Sequence, residues 1–176
     1  AEQDPDQWWS ALAQATRGAL AESGVPAGEI AGISVDATAS TVVATDADGR
    51  HLRPAIMWMD VRAADQARRI QETGDPALKY NGFGAVSAEL GLPKALWLKE
   101  NEPDTWKGAA RVGECADWAI QRLTGEATAS VNTVSGKYYY DRDAGGFPVS
   151  LYEAVGVEDL LDKTPQRVLD LGAPVG

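Results

Sequence analysis

The chain has 176 residues and a formal net charge of −10, with 26 Asp and Glu against 16 Lys and Arg. That length makes one ordinary domain or part of a larger one, and the acidic balance excludes the polybasic face that would grip a nucleic-acid backbone or an anionic membrane; a small molecule is the expected partner. Cys115 is the only cysteine, which excludes an internal disulfide and a thiolate zinc cage and points to a reducing, cytoplasmic setting.

The opening AEQDPDQWW lacks the basic and apolar regions of a secretory signal, and no later run approaches a membrane span. A helix is expected from Asp4, with Asp4 as N-cap, Pro5 at the first helical position and Gln7 closing a capping box. Trp9, Leu12, Thr16 and Leu20 share one face of it, and Gly24 and Pro26 stop it. Two apolar segments, 30–36 and 41–46, then read as strands. The DADG turn at 46–49 leads the second into 52–58 as its antiparallel neighbour. Helical patterns follow at 62–72, 93–100 and 114–123, ended by Gly74, by Asn101 with Pro103, and by Gly125. A further strand is expected at 135–141, and Ser150 with Glu153 reads as a short capping box before a last, weakly patterned segment.

Four stretches carry a resemblance: GISVDATASTVVATDADGRHLRPAIMWMDVRA (32–63), VSAELGLPKALWLKENEP (86–103), ECADWAIQRLTG (114–125) and SVNTVSGKYYYD (130–141). In order, spacing and character they are similar to the FGGY carbohydrate kinases, the family of glycerol kinase, xylulokinase and ribulokinase, with the ribulokinase-like members nearest. The resemblance implies an α/β fold of the actin-like, ribonuclease-H type, two lobes around a cleft, with a mixed sheet covered by helices. A complete member starts with a D-x-G-T strand and turn that handles the ATP phosphates. Its catalytic aspartate follows the position where LGAPVG ends this chain, so the general base is expected beyond Gly176 and no catalytic residue is expected within the chain. Residues 1–176 are therefore expected to be an internal piece of the N-terminal, sugar-binding lobe. The nucleotide-binding C-terminal lobe would lie outside it, and ATP and Mg2+ would be held mainly by those other parts.

The resemblance also implies a sugar site. Phosphoryl transfer to a hydroxyl depends on positioning and charge stabilisation more than on covalent chemistry. A polyol needs carboxylates and cations for its hydroxyls and an aromatic wall for its carbons. Trp58 falls where the family's W-x-D-x-R motif places a tryptophan beside the substrate, and a core strand residue is the alternative reading. Asp60 reads as N-cap of the following helix as well as rim of the site, and Arg62 either pairs with Asp60 or sits exposed in the first helical turn. Thr38 and Ala39 align with polar substrate-holding positions. Glycerol kinase has an arginine and a glutamate there and xylulokinase a methionine and a histidine, so the small pair implies a roomier, ribulokinase-like pocket. Asp36, just upstream, either faces the cleft or ends its strand in an Asx turn. Glu89 aligns with a substrate-contacting position, a solvated carboxylate being the alternative. Lys137 aligns with a cationic position that would offset charge near the transferring group, against the reading of an edge-strand lysine.

Other features are structural. GFGAVS at 82–87 misses the third glycine of a dinucleotide fingerprint, and DADG is too short for a calcium loop. His51 is expected exposed, without a histidine or cysteine partner for a metal, and Cys115 shares a helical face with Trp118 and Ala119 as a small core residue. The expected activity of the complete protein is ATP-dependent phosphorylation of a ketopentose such as ribulose or xylulose, or a related polyol. The alternative is a kinase-derived sugar-binding or regulatory module without transfer. A homodimer is left open.

Overall fold

The computed structural model describes residues 1–81 and 84–176; Gly82 and Phe83 of the GFGAVS stretch lie outside the described residues. After a two-residue strand, β1 (Glu2–Gln3), Asp4 caps helix α1 (Pro5–Ser23) by accepting the Asp6 N–H at 2.9 Å. The expected box with Gln7 does not form, because the Gln7 N–H bonds to the Asp4 carbonyl. Gly24, at φ 67°, ends the helix in the left-handed conformation that glycine adopts without steric cost.

The expected strand at 30–36 is absent. Its apolar residues alternate, but a strand needs a neighbour to take its backbone bonds. No described segment pairs with it, and Ile30 and Ile33 are exposed. The next two expected strands form, although of 52–58 only residues 55–56 are strand. β2 (Val42–Thr45) and β3 (Ala55–Ile56) pair antiparallel around the 46–49 turn, where Asp46 accepts the N–H groups of Asp48 and Arg50 at 2.9 Å. With β4 (Arg111–Glu114) they form a sheet in the order β1-β3-β2-β4, every pair antiparallel. β5 (Ala129–Ser130) and β6 (Val168–Leu169) make a separate parallel pair.

All four residues of β2 are buried, which requires cover on both faces of the sheet. One face packs Val42, Ala44 and Ile56 under α2 (Ala64–Glu72) and α3 (Gly91–Asn101). The other packs Val43 and Ala55 against Trp118 and Cys115 of α5 (Cys115–Thr124), with Trp8 and Trp9 of α1 beside them, whereas Leu12 and Thr16 of the Trp9 face stay exposed. α3 is enclosed almost all round, as its nearly unbroken apolar run LGLPKALWL demands. α4 (Pro103–Gly108) links it to β4.

Residues 135–141 are not a strand. Ser130 accepts the Asn132 N–H and starts helix α6 (Val131–Tyr138), which buries Val134 and Tyr138 in the α3 core. The chain leaves this helix at Tyr139, φ 60°. Helix α7 (Val149–Val155) begins after Pro148 with no side-chain cap, and Ser150, the expected cap, donates to Asp75 instead. α8 (Leu160–Lys163) brings Asp159 beneath α3 and α4, where it accepts from Lys99 Nζ and Trp106 Nε1, each at 2.7 Å. After β6 the chain runs back to the end of α5, where a Cβ at Gly176 would meet the Thr124 Cβ at 3.3 Å.

Candidate functional site

β3 ends in a turn closed by the Asp60 N–H on the Met57 carbonyl at 3.0 Å, and this turn presents Trp58 with 41% of its surface exposed. The Trp58 ring is thus open to a ligand, while its backbone is fixed. Its N–H donates to Thr41 Oγ1 at 3.1 Å and its carbonyl accepts from Lys94 Nζ at 3.0 Å.

Asp60 is no helix cap. Ala63 occupies the cap position of α2 without a side-chain bond, since the helix begins at Ala64 and not at 62. Asp60 is buried and turns to Arg62, accepting its backbone N–H, Nε and Nη2 at 2.9 Å each, and it also meets the Ala1 amino group. The guanidinium beside it holds the carboxyl well below the usual carboxylate range. Arg62 in turn bonds Glu2 at 2.8 Å and lies 4.8 Å from the centre of the Trp97 ring. Of the two readings of Arg62, the paired one is what forms, and the pair commits both charges to holding the turn.

Two residues unremarked in the sequence organise the region. Lys94 of α3 is fully buried, and its ammonium donates to the carbonyls of Ser40, Met57 and Trp58 at 2.8, 2.7 and 3.0 Å. Three N–H groups meet three acceptors, so the ammonium is satisfied. Burial pulls its pKa down to about 8, against the opposing fields of Glu114, Asp60 and Glu89. Glu114, at the end of β4, accepts the Ser40 N–H at 2.6 Å, and burial pushes it up to about 8. Ser40, held on both sides of its backbone, sits at φ 68°, a conformation costing a non-glycine residue roughly 1–3 kcal/mol. A lone lysine inside an apolar helical run was the available signal for Lys94.

Thr38 and Ala39 are exposed just before Ser40. The Thr38 carbonyl meets Cys115 Sγ at 3.4 Å, and Thr38 lines a partly open cavity of about 220 Å³ walled by Trp8, Trp9, Met57, Cys115 and Trp118. Burial pushes the Cys115 thiol up to about 12, as suits a core residue and not a nucleophile. Glu89 is half-buried on the lead-in to α3. Lys137 lies in the last turn of α6, not on an edge strand, within the field of Glu114. Trp58 and Glu89 are therefore both tied to Lys94, one by a bond and one through its field, and Lys137 to Glu114. Among the described residues no hydrogen bond or ion pair joins Trp58, Glu89 and Lys137 directly.

His51 is half-buried rather than exposed, 3.4 Å from Asp4 and 3.8 Å from Asp6. These three are the group among the described residues whose ligand atoms could meet on a metal. Asp4 is already committed to capping α1.

Residues 1–165 match the FGGY family of carbohydrate kinases, N-terminal domain. A xylulose kinase of Streptomyces coelicolor is 36% identical over 162 residues, which are 91% of this chain and 33% of that protein. A D-ribulokinase of Saccharomyces cerevisiae is 39% identical over 103 residues, 53% of this chain and 14% of that protein. The crystal structure of a xyloylose kinase from Brucella ovis superposes with a TM-score of 0.85 at 27% identity, covering 99% of this chain and 36% of that one. The chain spans about a third of the length of the first curated relatives it matches. A match from residue 1 to residue 165, on a fold shared with a solved sugar kinase, establishes that this chain belongs to the FGGY family of carbohydrate kinases.

Proposed function

We propose that this chain is part of the sugar-binding lobe of a kinase that transfers a phosphoryl group from ATP to a hydroxyl of a ketopentose. The family match over residues 1–165 carries the reading, and the similarity to a xylulose kinase and a D-ribulokinase narrows it to ketopentoses. In this reading the exposed Trp58 ring is the apolar wall for the sugar carbons, Glu89 accepts from hydroxyls, and Lys137 supplies positive charge near the reacting oxygen. Thr38 and Ala39 form a small rim, and Asp60 and Arg62 hold the turn that carries Trp58 while their charges stay with each other.

ATP supplies the phosphoryl group, and magnesium neutralises its charge during transfer. The described residues do not fit that pair. The acid and histidine group at Asp4, Asp6 and His51 is bound up with the start of α1, and Asp60 is saturated by Arg62. In this reading nucleotide and metal would be held mainly by other segments of the complete protein, with the proton-accepting aspartate expected beyond Gly176.

The test is release of ADP by the complete protein with ATP, Mg2+ and a panel of D-xylulose, D-ribulose and glycerol. A ketopentose should stimulate release, and residues 1–176 alone should release none. Sugar binding without any ADP release would favour the non-transferring module instead. Sugar-dependent release by the isolated chain would overturn the division of labour and with it the placing of the base beyond Gly176.

A further inference from the structure

We propose that Lys94 is a positioning residue for the sugar site, clamping the Ser40 turn to the end of the Trp58 strand from inside the core. The inference rests on the reading that Trp58 and the 38–39 rim face the sugar, but the clamp itself is a matter of geometry. A single buried ammonium takes the carbonyls of Ser40, Met57 and Trp58, at 2.8, 2.7 and 3.0 Å. The first belongs to the turn that carries Thr38 and Ala39, and the other two carry the exposed indole. No other described side chain bonds both segments and also comes from a helix, although Thr41 joins the same two through its hydroxyl.

The Ser40 backbone shows what the clamp is set against. At φ 68° the turn is strained for a residue with a side chain, and such conformations persist only where surrounding groups over-determine them. Here the N–H is taken by Glu114 of β4 and the carbonyl by Lys94 of α3. Without Lys94 three buried carbonyls lose a charged donor together, and the turn loses half of what holds it. The Lys94 side chain itself is 0% exposed, so any effect on a sugar must pass through the segments it holds.

The experiment uses the complete protein with Lys94→Met, which keeps length and removes the donors. With the better of D-xylulose and D-ribulose, the sugar KM should rise about tenfold or more while the ATP KM stays within about twofold. Hydrogen exchange should lose protection at Ser40 and Trp58 while Val43 and Val112, in the middle of β2 and β4, stay protected. Lys94→Gln, which retains two donors, should fall between parent and Lys94→Met on both readouts, and it carries the test if Lys94→Met does not fold. An unchanged sugar KM in a folded variant, or KM values for sugar and ATP that rise together, overturns the proposal, as does protection lost evenly across the sheet. If the parent protein turns over neither ketopentose, the sugar reading fails and the positioning role fails with it. The exchange pattern would then report on the clamp alone.

Discussion

Tyr138 lies across Gly91 so closely that a Cβ at position 91 would meet its ring carbon at 2.5 Å and its hydroxyl at 2.8 Å. Both residues are buried, one at the start of α3 and the other at the end of α6. The contact packs the end of α6 against the start of the helix that carries Lys94. Gly91→Ala is therefore expected to destabilise the chain by about 1–3 kcal/mol, the usual range for overpacking a core. A denaturant midpoint unchanged from the parent would contradict that close approach. Tyr138→Phe should cost almost nothing, because among the described residues the buried hydroxyl has no hydrogen-bond partner.

The Asp60–Arg62 pair makes a prediction with a definite pH sign. The folded-state pKa of Asp60 is depressed, chiefly by the Arg62 hydrogen bonds. Its contribution is therefore present above the unfolded value of 3.8 and is lost as pH falls through the folded one. Asp60→Asn should lower stability at pH 7 by about 2 kcal/mol, the scale of losing charge-assisted hydrogen bonds. The gap to the parent should close steadily below about pH 4. A gap independent of pH would mean that shape, and not charge, is what Asp60 supplies.

Glu114 and Asp117 carry the opposite sign. Burial raises them to about 8 and about 6, so from 4.5 and 3.8 upward the folded chain binds more protons than the unfolded one. Stability then falls as pH rises through that window, by at most about 1.4 kcal/mol per pH unit for each group. Glu114→Gln should flatten the stability profile between pH 6 and 8 and leave the Asp117 limb below 6. Lys94, pulled down to about 8, acts only above that point, where stability should rise with pH. Denaturant melts at half-unit steps would show the limbs. A Glu114→Gln profile parallel to the parent's throughout would exclude Glu114 as their source.

Much of this fold is written in local chemistry, and what is not depends on partners distant in sequence. The β2–β3 hairpin was legible because Asp46 and Gly49 make their own turn, and α3 and α5 lie within two residues of their expected bounds because Gly125 and the break at Glu102 and Pro103 stop them. The 30–36 segment has strand composition but no described neighbour, and composition alone cannot supply one. KYYYD has strand propensity too, yet the Ser130 cap and the burial of Val134 and Tyr138 under α3 favour helix, a tertiary override of a local preference. The candidate sugar-site residues were legible as kinds of group: an aromatic, a carboxylate, an ammonium. Lys94 and Glu114 escaped because a buried charge is defined by what encloses it, and the strand end, turn and helix that enclose Lys94 lie up to 54 residues apart.

The two groups with most to do in the proposed transfer should fail differently in the complete protein. Trp58 offers its exposed ring as a wall, and a wall touches ground state and transition state nearly alike. Trp58→Ala should therefore raise the sugar KM by about tenfold with kcat changed little. Lys137 lies in the last turn of α6 within the field of the buried Glu114, and its proposed service is to charge that develops during transfer. Lys137→Ala should lower kcat by about a hundredfold, the scale of losing one electrostatic stabiliser, with a smaller change in sugar KM. Lys137→Arg should recover part of that loss, since charge returns without the same geometry. Steady-state kinetics with D-xylulose and D-ribulose separate the cases. Equal losses of kcat and sugar affinity in both variants would mean that the two residues support the lobe, and the sugar site would then have to be sought elsewhere around the Ser40 turn.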